Sequence, residues 1–145
     1  MNPTSPKDVR DWCRENGFHP SRAMGQNFLI DRNTLDAIIA TSGTVAGQLV
    51  LEVGPGLGVL TRALLETGAR VVAVEKDRRL AAFLRETLAP KFPGLTLIEG
   101  DMLKQDLAAL FQCSMSNWEC PTGNFNFHFT TCKLPVEHSL LEIEH

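Results

Sequence analysis

The run Gln48-Leu49-Val50-Leu51-Glu52-Val53 leads directly into Gly54-Pro55-Gly56-Leu57-Gly58. A short, mostly apolar run suits a strand buried on both faces of a parallel sheet. The glycines let the chain turn sharply at the strand's end, and let backbone approach a ligand where a side chain would collide. A helical pattern follows, from Val59 to Thr67, closed by Gly68. This passage from strand through glycine turn to helix restricts the chain to α/β architectures more tightly than any other feature.

The unit repeats. Arg70-Val71-Val72-Ala73-Val74-Glu75 is a β-branched strand, and Arg78 to Leu88 a helix with Leu80, Phe83, Leu84 and Leu88 at helical spacing before Pro90. Leu95-Thr96-Leu97-Ile98 is a third strand, running into Glu99-Gly100-Asp101. Upstream, Asp31 N-caps a helix over residues 31 to 42, with Leu35, Ile38 and Ile39 on one face and Gly43 as its stop. Strand, helix, strand, helix, strand predicts a doubly wound parallel sheet. Right-handed crossovers then bring all three strand ends to one edge, where ligands bind.

Composition sets the outer bounds. A chain of 145 residues with 43% hydrophobic content is sufficient for one domain with a real core. No apolar run reaches the roughly 18 residues a bilayer span needs, and Met1-Asn2-Pro3-Thr4-Ser5-Pro6 lacks a signal-peptide pattern; the expectation is a soluble cytoplasmic protein without membrane contact. Cys13, Cys113, Cys120 and Cys132 form no C-x-x-C pair. A zinc site from Cys120, His128 and Cys132 matches no standard ligand spacing, so free thiols and no metal are expected. Basic and acidic residues balance at thirteen each through Leu110; beyond it Lys133 stands against Glu119, Glu137, Glu142 and Glu144. The basic stripe usual in RNA-binding proteins is absent, which leaves local clusters such as Arg10, Arg14 and Arg22 for any phosphate contact.

After Leu110 the character changes. Residues 111–145 are rich in Cys, Phe, Asn, Thr and His and show no further βα unit, although Phe125-Asn126-Phe127-His128-Phe129-Thr130 alternates cleanly enough to form a strand. A sheet of three strands leaves its edges exposed, so the chain reads as about half of a larger domain.

Three positions at the shared sheet edge carry chemistry. A nicotinamide-binding loop calls for G-x-G-x-x-G, whereas the spacing here is G-x-G-x-G, with Val59 at the next position. Glu75 lies 21 residues after Gly54, at the tip of the second strand, where a carboxylate can accept both ribose hydroxyls of an adenosyl group. Its flanking Lys76, Asp77 and Arg78 also permit the plainer reading of a solvated strand-end acid. Asp101 after the third strand can accept a hydrogen bond from an adenine amino group, or simply cap a helix. Together these suit a ligand with an adenine, a ribose and a third group over the glycine loop. S-adenosylmethionine and NAD both answer that description. The loop spacing favours S-adenosylmethionine, and an NAD-dependent oxidoreductase is the alternative.

The segment Met24-Gly25-Gln26-Asn27-Phe28-Leu29-Ile30-Asp31, followed by Leu51-Glu52-Val53-Gly54-Pro55-Gly56-Leu57-Gly58-Val59-Leu60-Thr61, resembles the ribosomal RNA adenine N6-dimethyltransferase family. The likeness covers roughly residues 20 to 110 and is closer to the small-subunit rRNA enzymes than to the related antibiotic-resistance rRNA methylases. It implies a Rossmann-like class I S-adenosylmethionine-dependent methyltransferase fold, present with about three strands of its parallel sheet. It divides the chain into an N-terminal arm (1–30), a cofactor-binding α/β half-domain (31–110) and an unassigned tail (111–145). It places cofactor contacts on Asn27, Leu29, Gly54, Gly56, Glu75 and Asp101, with Asn27 and Leu29 closing over the cofactor. It makes ribosomal RNA of the small subunit the partner.

The family carries a further strand ending in Asn-(Leu/Ile)-Pro-(Tyr/Phe), where the Asn oxygen and a backbone carbonyl accept from the target amino group and the aromatic ring stacks on the flipped base. Here no Asn begins such a motif and there is no Tyr; the nearest segment is Lys133-Leu134-Pro135-Val136. A lysine ammonium only donates hydrogen bonds, and Val136 offers no stacking face. The sequence therefore designates no catalytic residue. The switch near residue 110 reads as a truncated or frameshifted gene product or an alternative terminus, and a non-catalytic cofactor-binding fragment is the second functional reading.

Overall fold

The aliphatic runs form strands β1 (Leu49–Val53), β2 (Arg70–Glu75) and β3 (Leu95–Glu99). The amphipathic runs between them form helices: α1 (Pro6–Glu15) and α2 (Arg32–Ser42) precede β1, α3 (Val59–Glu66) joins β1 to β2, and α4 (Arg78–Thr87) joins β2 to β3. This computed structural model describes residues 1–21, 26 and 28–110 and the backbone of 128–129. Among the sequence expectations, Asn27, the Lys133-Leu134-Pro135-Val136 segment and the three distal cysteines lie outside the described residues.

Each helix boundary has a visible chemical cause. Asp31 accepts from the Asn33 N–H at the start of α2, and Gly43, at φ 60°, closes that helix in the left-handed region. Asp77 accepts from the Arg79 and Leu80 N–H groups to start α4. Helix α1 is a finding the sequence reading did not separate from the N-terminal arm. Ser5 caps it through the Asp8 N–H, and Pro6 occupies its first turn, where no N–H is needed.

The strands pair in parallel in the order β3-β2-β1-β4, the last being the two-residue strand His128–Phe129 beside Val50 and Leu51 of β1. His128 and Phe129 of the alternating Phe125–Thr130 run thus form a fourth strand, the rest of the run lying outside the described residues. It occupies the side of β1 opposite β2, as a doubly wound order requires. Val53 pairs with Val74, and Glu75 with Glu99, so all three long strands finish on one edge. The ladder extends into the turns: the Gly54 N–H donates to Val74 O at 2.9 Å and the Gly100 N–H to Glu75 O at 2.8 Å.

One sheet face carries Val50, Val71 and Ala73 against Leu35 of α2 and Val59, Leu60, Leu64 and Leu65 of α3. The other gathers Leu51, Val72 and Val74 with Leu110. A third cluster ties α1 to the site edge: Val9, Cys13 and Phe18 pack with Phe28, Leu57 and Leu80. Trp12 meets Phe83 edge-on with centroids 4.9 Å apart, and the Arg79 guanidinium lies over Phe18 while donating to the Gly17 and Asn16 carbonyls.

Gly58 shows why the loop needs glycine. It sits at φ 76°, and a Cβ there would come within 2.6 Å of both Leu84 and Leu88. Gly58→Ala is expected to lower unfolding stability by about 2 kcal/mol, from left-handed strain plus overpacking against α4. An unchanged chemical-denaturation midpoint would contradict this.

Candidate functional site

The sheet edge opens into a cavity of about 430 Å³, lined by Gln26, Phe28, Val53, Gly54, Gly56, Val74, Glu75, Lys76, Leu80, Gly100, Asp101, Met102 and Leu103. That size suits a small-molecule ligand, and the lining combines apolar walls with a few convergent polar groups. Of the sequence-predicted positions, Gly54, Gly56, Glu75 and Asp101 meet around this space. Leu29 does not line it; its side chain is half-buried against the core under α2 and α3.

All three loop glycines have positive φ: 70° at Gly54, 60° at Gly56 and 76° at Gly58. These values turn the chain from β1 into α3. A Cβ at Gly54 would meet nothing within 4 Å, so backbone there faces open space, and one at Gly56 would press on the Phe28 ring at 3.3 Å. At Gly54 and Gly56 bare backbone lines the cavity, where a ligand can approach more closely than it could past a side chain.

Glu75 is buried, at 5% exposure, which excludes the solvated strand-end reading. Its Oε2 accepts from the Gly56 N–H at 3.0 Å and its Oε1 from the Asp77 N–H at 2.8 Å. An ionised carboxylate offers about four lone-pair sites, so two directions remain for a ligand's hydroxyls. Burial raises its pKa above the ordinary carboxylate value, opposed by the backbone N–H groups of Asp77, Gly56 and Lys76.

Asp101 caps a turn and lines the cavity at once. Its Oδ1 accepts from the Leu103 N–H, capping a 3-10 turn over Met102–Lys104, while its Oδ2 pairs with the Lys76 ammonium at 3.0 Å. The Lys76 hydrogen bond leads the causes that hold its carboxyl below the usual range. The pair spans neighbouring strand ends, placing one positive and one negative group on the cavity wall.

Glu52 is a residue whose position sequence reading missed. It lies in the buried β1 strand, 5% exposed, and its Oε2 accepts from the Thr61 hydroxyl at 2.7 Å. Burial, with the nearby Glu75 charge adding to it, pushes its pKa up to about 7. The legible signal was an acid inside an otherwise apolar strand, two residues before the glycine loop. Glu52 and Glu75 place two buried carboxyls beside the loop.

Comparison with known proteins agrees with this geometry. Residues 17–128 match the family described as Ribosomal RNA adenine dimethylase. The Ribosomal RNA small subunit methyltransferase A of Deinococcus radiodurans is 51% identical over 106 residues, covering 73% of this chain and 36% of that protein. The protein of the same name from Sphingopyxis alaskensis is 52% identical over 103 residues, covering 70% of this chain and 38% of its own length. This chain therefore spans little more than a third of these relatives. Among solved structures, the 23S rRNA methyltransferase ErmE superposes with a TM-score of 0.50 at 42% identity, over 55% of this chain and 32% of that one. With its Gly-Pro-Gly-Leu-Gly cradle, its buried acid at the end of β2 and these relatives, the chain belongs to the ribosomal RNA adenine dimethylase family.

Proposed function

We infer that the cavity holds S-adenosylmethionine and that this chain carries the cofactor-binding part of an enzyme that dimethylates adenine N6 in small-subunit ribosomal RNA. The observation that carries this reading is Glu75: a buried carboxylate, fixed by two backbone N–H groups, facing a cavity floored by side-chain-free backbone. Its free lone pairs accept the two ribose hydroxyls, Asp101 accepts from the adenine amino group in place of Lys76, and Gly54 and Gly56 give the remainder close backbone contact. By family likeness Asn27 and Leu29 of the arm (1–30) belong to the same set as the half-domain (31–110) residues, although the Leu29 side chain packs against the core rather than lining the cavity. Among the described residues no helix is long and apolar enough to cross a membrane, and a cytoplasmic site of action fits the ribosomal partner.

When bound, the cofactor supplies a methyl group on a sulfonium, open to in-line attack by the amino nitrogen. The protein's part is to fix the cofactor and exclude water from one side. Cofactor binding without transfer is a second reading, favoured by the lack of any Asn-x-Pro-(Tyr/Phe) segment in the sequence. Incubating the purified chain with methyl-tritiated S-adenosylmethionine and small-subunit rRNA separates the two. Label in adenine N6 supports the enzyme, while retained cofactor with unlabelled RNA supports the second reading. A chain that retains no cofactor contradicts both.

A further inference from the structure

Gln26 lies far from the strand ends in sequence, yet it lines the cavity beside them. Its Nε2 donates to Asp77 Oδ2 at 2.9 Å, across 51 positions of sequence, and its Oε1 accepts from the Ser21 N–H at 2.7 Å. Asp77 spends its other carboxylate oxygen on the Arg79 and Leu80 N–H groups that start α4. Its own N–H donates to Glu75 Oε1, and Glu75 Oε2 in turn accepts from the Gly56 N–H. A continuous series of hydrogen bonds thus runs from the N-terminal arm through the β2–α4 turn to the acid and on to the glycine loop.

We propose that Gln26 is a positioning residue for the cofactor: by holding the Asp77 carboxylate it fixes the turn whose N–H aims Glu75 at the ribose. This rests on the cofactor reading given above. Both amide ends of Gln26 are engaged, one to its own segment and one to Asp77, so the side chain has a single orientation that satisfies both. A residue that only covered the cavity would need neither the donor nor its charged acceptor. A carboxylate that receives two ribose hydroxyls must be held within a few tenths of an ångström, and its partners' partners set that tolerance.

The test reverses the polarity of the contact. Gln26→Glu keeps an acceptor for the Ser21 N–H but sets two carboxylates against each other. Asp77→Asn keeps a helix-capping oxygen, since Asn caps as well as Asp, but presents an amide donor to the Gln26 amide. In the double variant the amide introduced at position 77 donates to the carboxylate introduced at position 26, and the bond is restored. Titrating the purified chain with S-adenosylhomocysteine is expected to show binding weakened roughly tenfold in each single variant and returned to within about twofold of the parent in the double. Gln26→Met, which removes the donor without adding charge, is expected to lose affinity to a similar degree and guards against misfolding of the charged variant. Single variants that bind like the parent, or a double variant as weak as the sum of its singles, would overturn the role of Gln26 while leaving the cofactor site intact. A parent chain that does not bind S-adenosylhomocysteine would overturn the cofactor reading, and this proposal with it.

Discussion

Replacing Glu75 with alanine is expected to weaken S-adenosylmethionine binding about a hundredfold while leaving the chain folded. Hydrogen bonds to a charged acceptor contribute about 1.5–3 kcal/mol each when the geometry is fixed in advance, and a hundredfold change corresponds to about 2.7 kcal/mol. Two ribose hydroxyls sharing one carboxylate reach that figure even if neither bond is ideal. Stability does not fall in step, because the carboxylate is buried and its charge is disfavoured there. Glu75→Gln isolates the charge from the shape. Its amide keeps one acceptor but turns a donor toward either the Gly56 or the Asp77 N–H, so it binds between the parent and the alanine variant. Calorimetric titration gives the affinities, and thermal unfolding of each variant without ligand checks the fold. An alanine variant that binds as tightly as the parent would remove Glu75 from the site.

The second large effect is on stability, and Glu52 causes it. Its folded pKa is about 7 against an ordinary 4.5, because burial penalises the charged form. Above pH 4.5 the unfolded chain has released this proton while the folded chain still holds it. Folded protein therefore binds more protons than unfolded across the interval from about 4.5 to about 7, and stability falls as pH rises through it. Between pH 5 and pH 8 the loss is on the order of 2 to 3 kcal/mol, and it levels off above the folded pKa. Glu75, also raised, acts in the same direction. Glu52→Gln still accepts from the Thr61 hydroxyl but has no proton to lose, so its denaturation midpoint varies much less with pH. A parent chain as stable at pH 8 as at pH 5 would show that Glu52 is not desolvated as its place in β1 implies.

Both effects bear on what a single sequence reveals. The βαβαβ passage was legible because its apolar periods differ: β1 and β2 are nearly continuous aliphatic runs, while α4 and its C-cap residue repeat Leu80, Leu84 and Leu88 at helical spacing. Gly54, Gly56, Glu75 and Asp101 meet because parallel strands with right-handed crossovers end on one edge, and the family resemblance names the same positions. Helix α1 was also within reach. Ser5-Pro6-Lys7-Asp8 is a helix start, and Val9, Trp12 and Cys13 share a face. In sequence, Glu52 is simply part of the lead-in to the glycines. In a strand covered on both faces an acid cannot reach water, and that consequence comes from packing rather than from its neighbours in sequence.

The contacts that tune the site were not legible, for a physical reason. Gln26 with Asp77 and Lys76 with Asp101 join residues brought together by the strand ends, and no local pattern distinguishes them from surface charges and amides. Asp101 illustrates the limit well. Sequence offered a helix cap or an adenine acceptor as alternatives, whereas the folded carboxylate has two oxygens, one committed to the cap and one paired with Lys76 at the cavity.

The most direct measurement is calorimetric titration of the purified chain with S-adenosylmethionine, run beside an identical titration with NAD. Saturable one-to-one binding of S-adenosylmethionine and no heat from NAD is the predicted result. Tighter binding of NAD, or no S-adenosylmethionine binding by a chain that unfolds cooperatively, would contradict the assignment of this cavity.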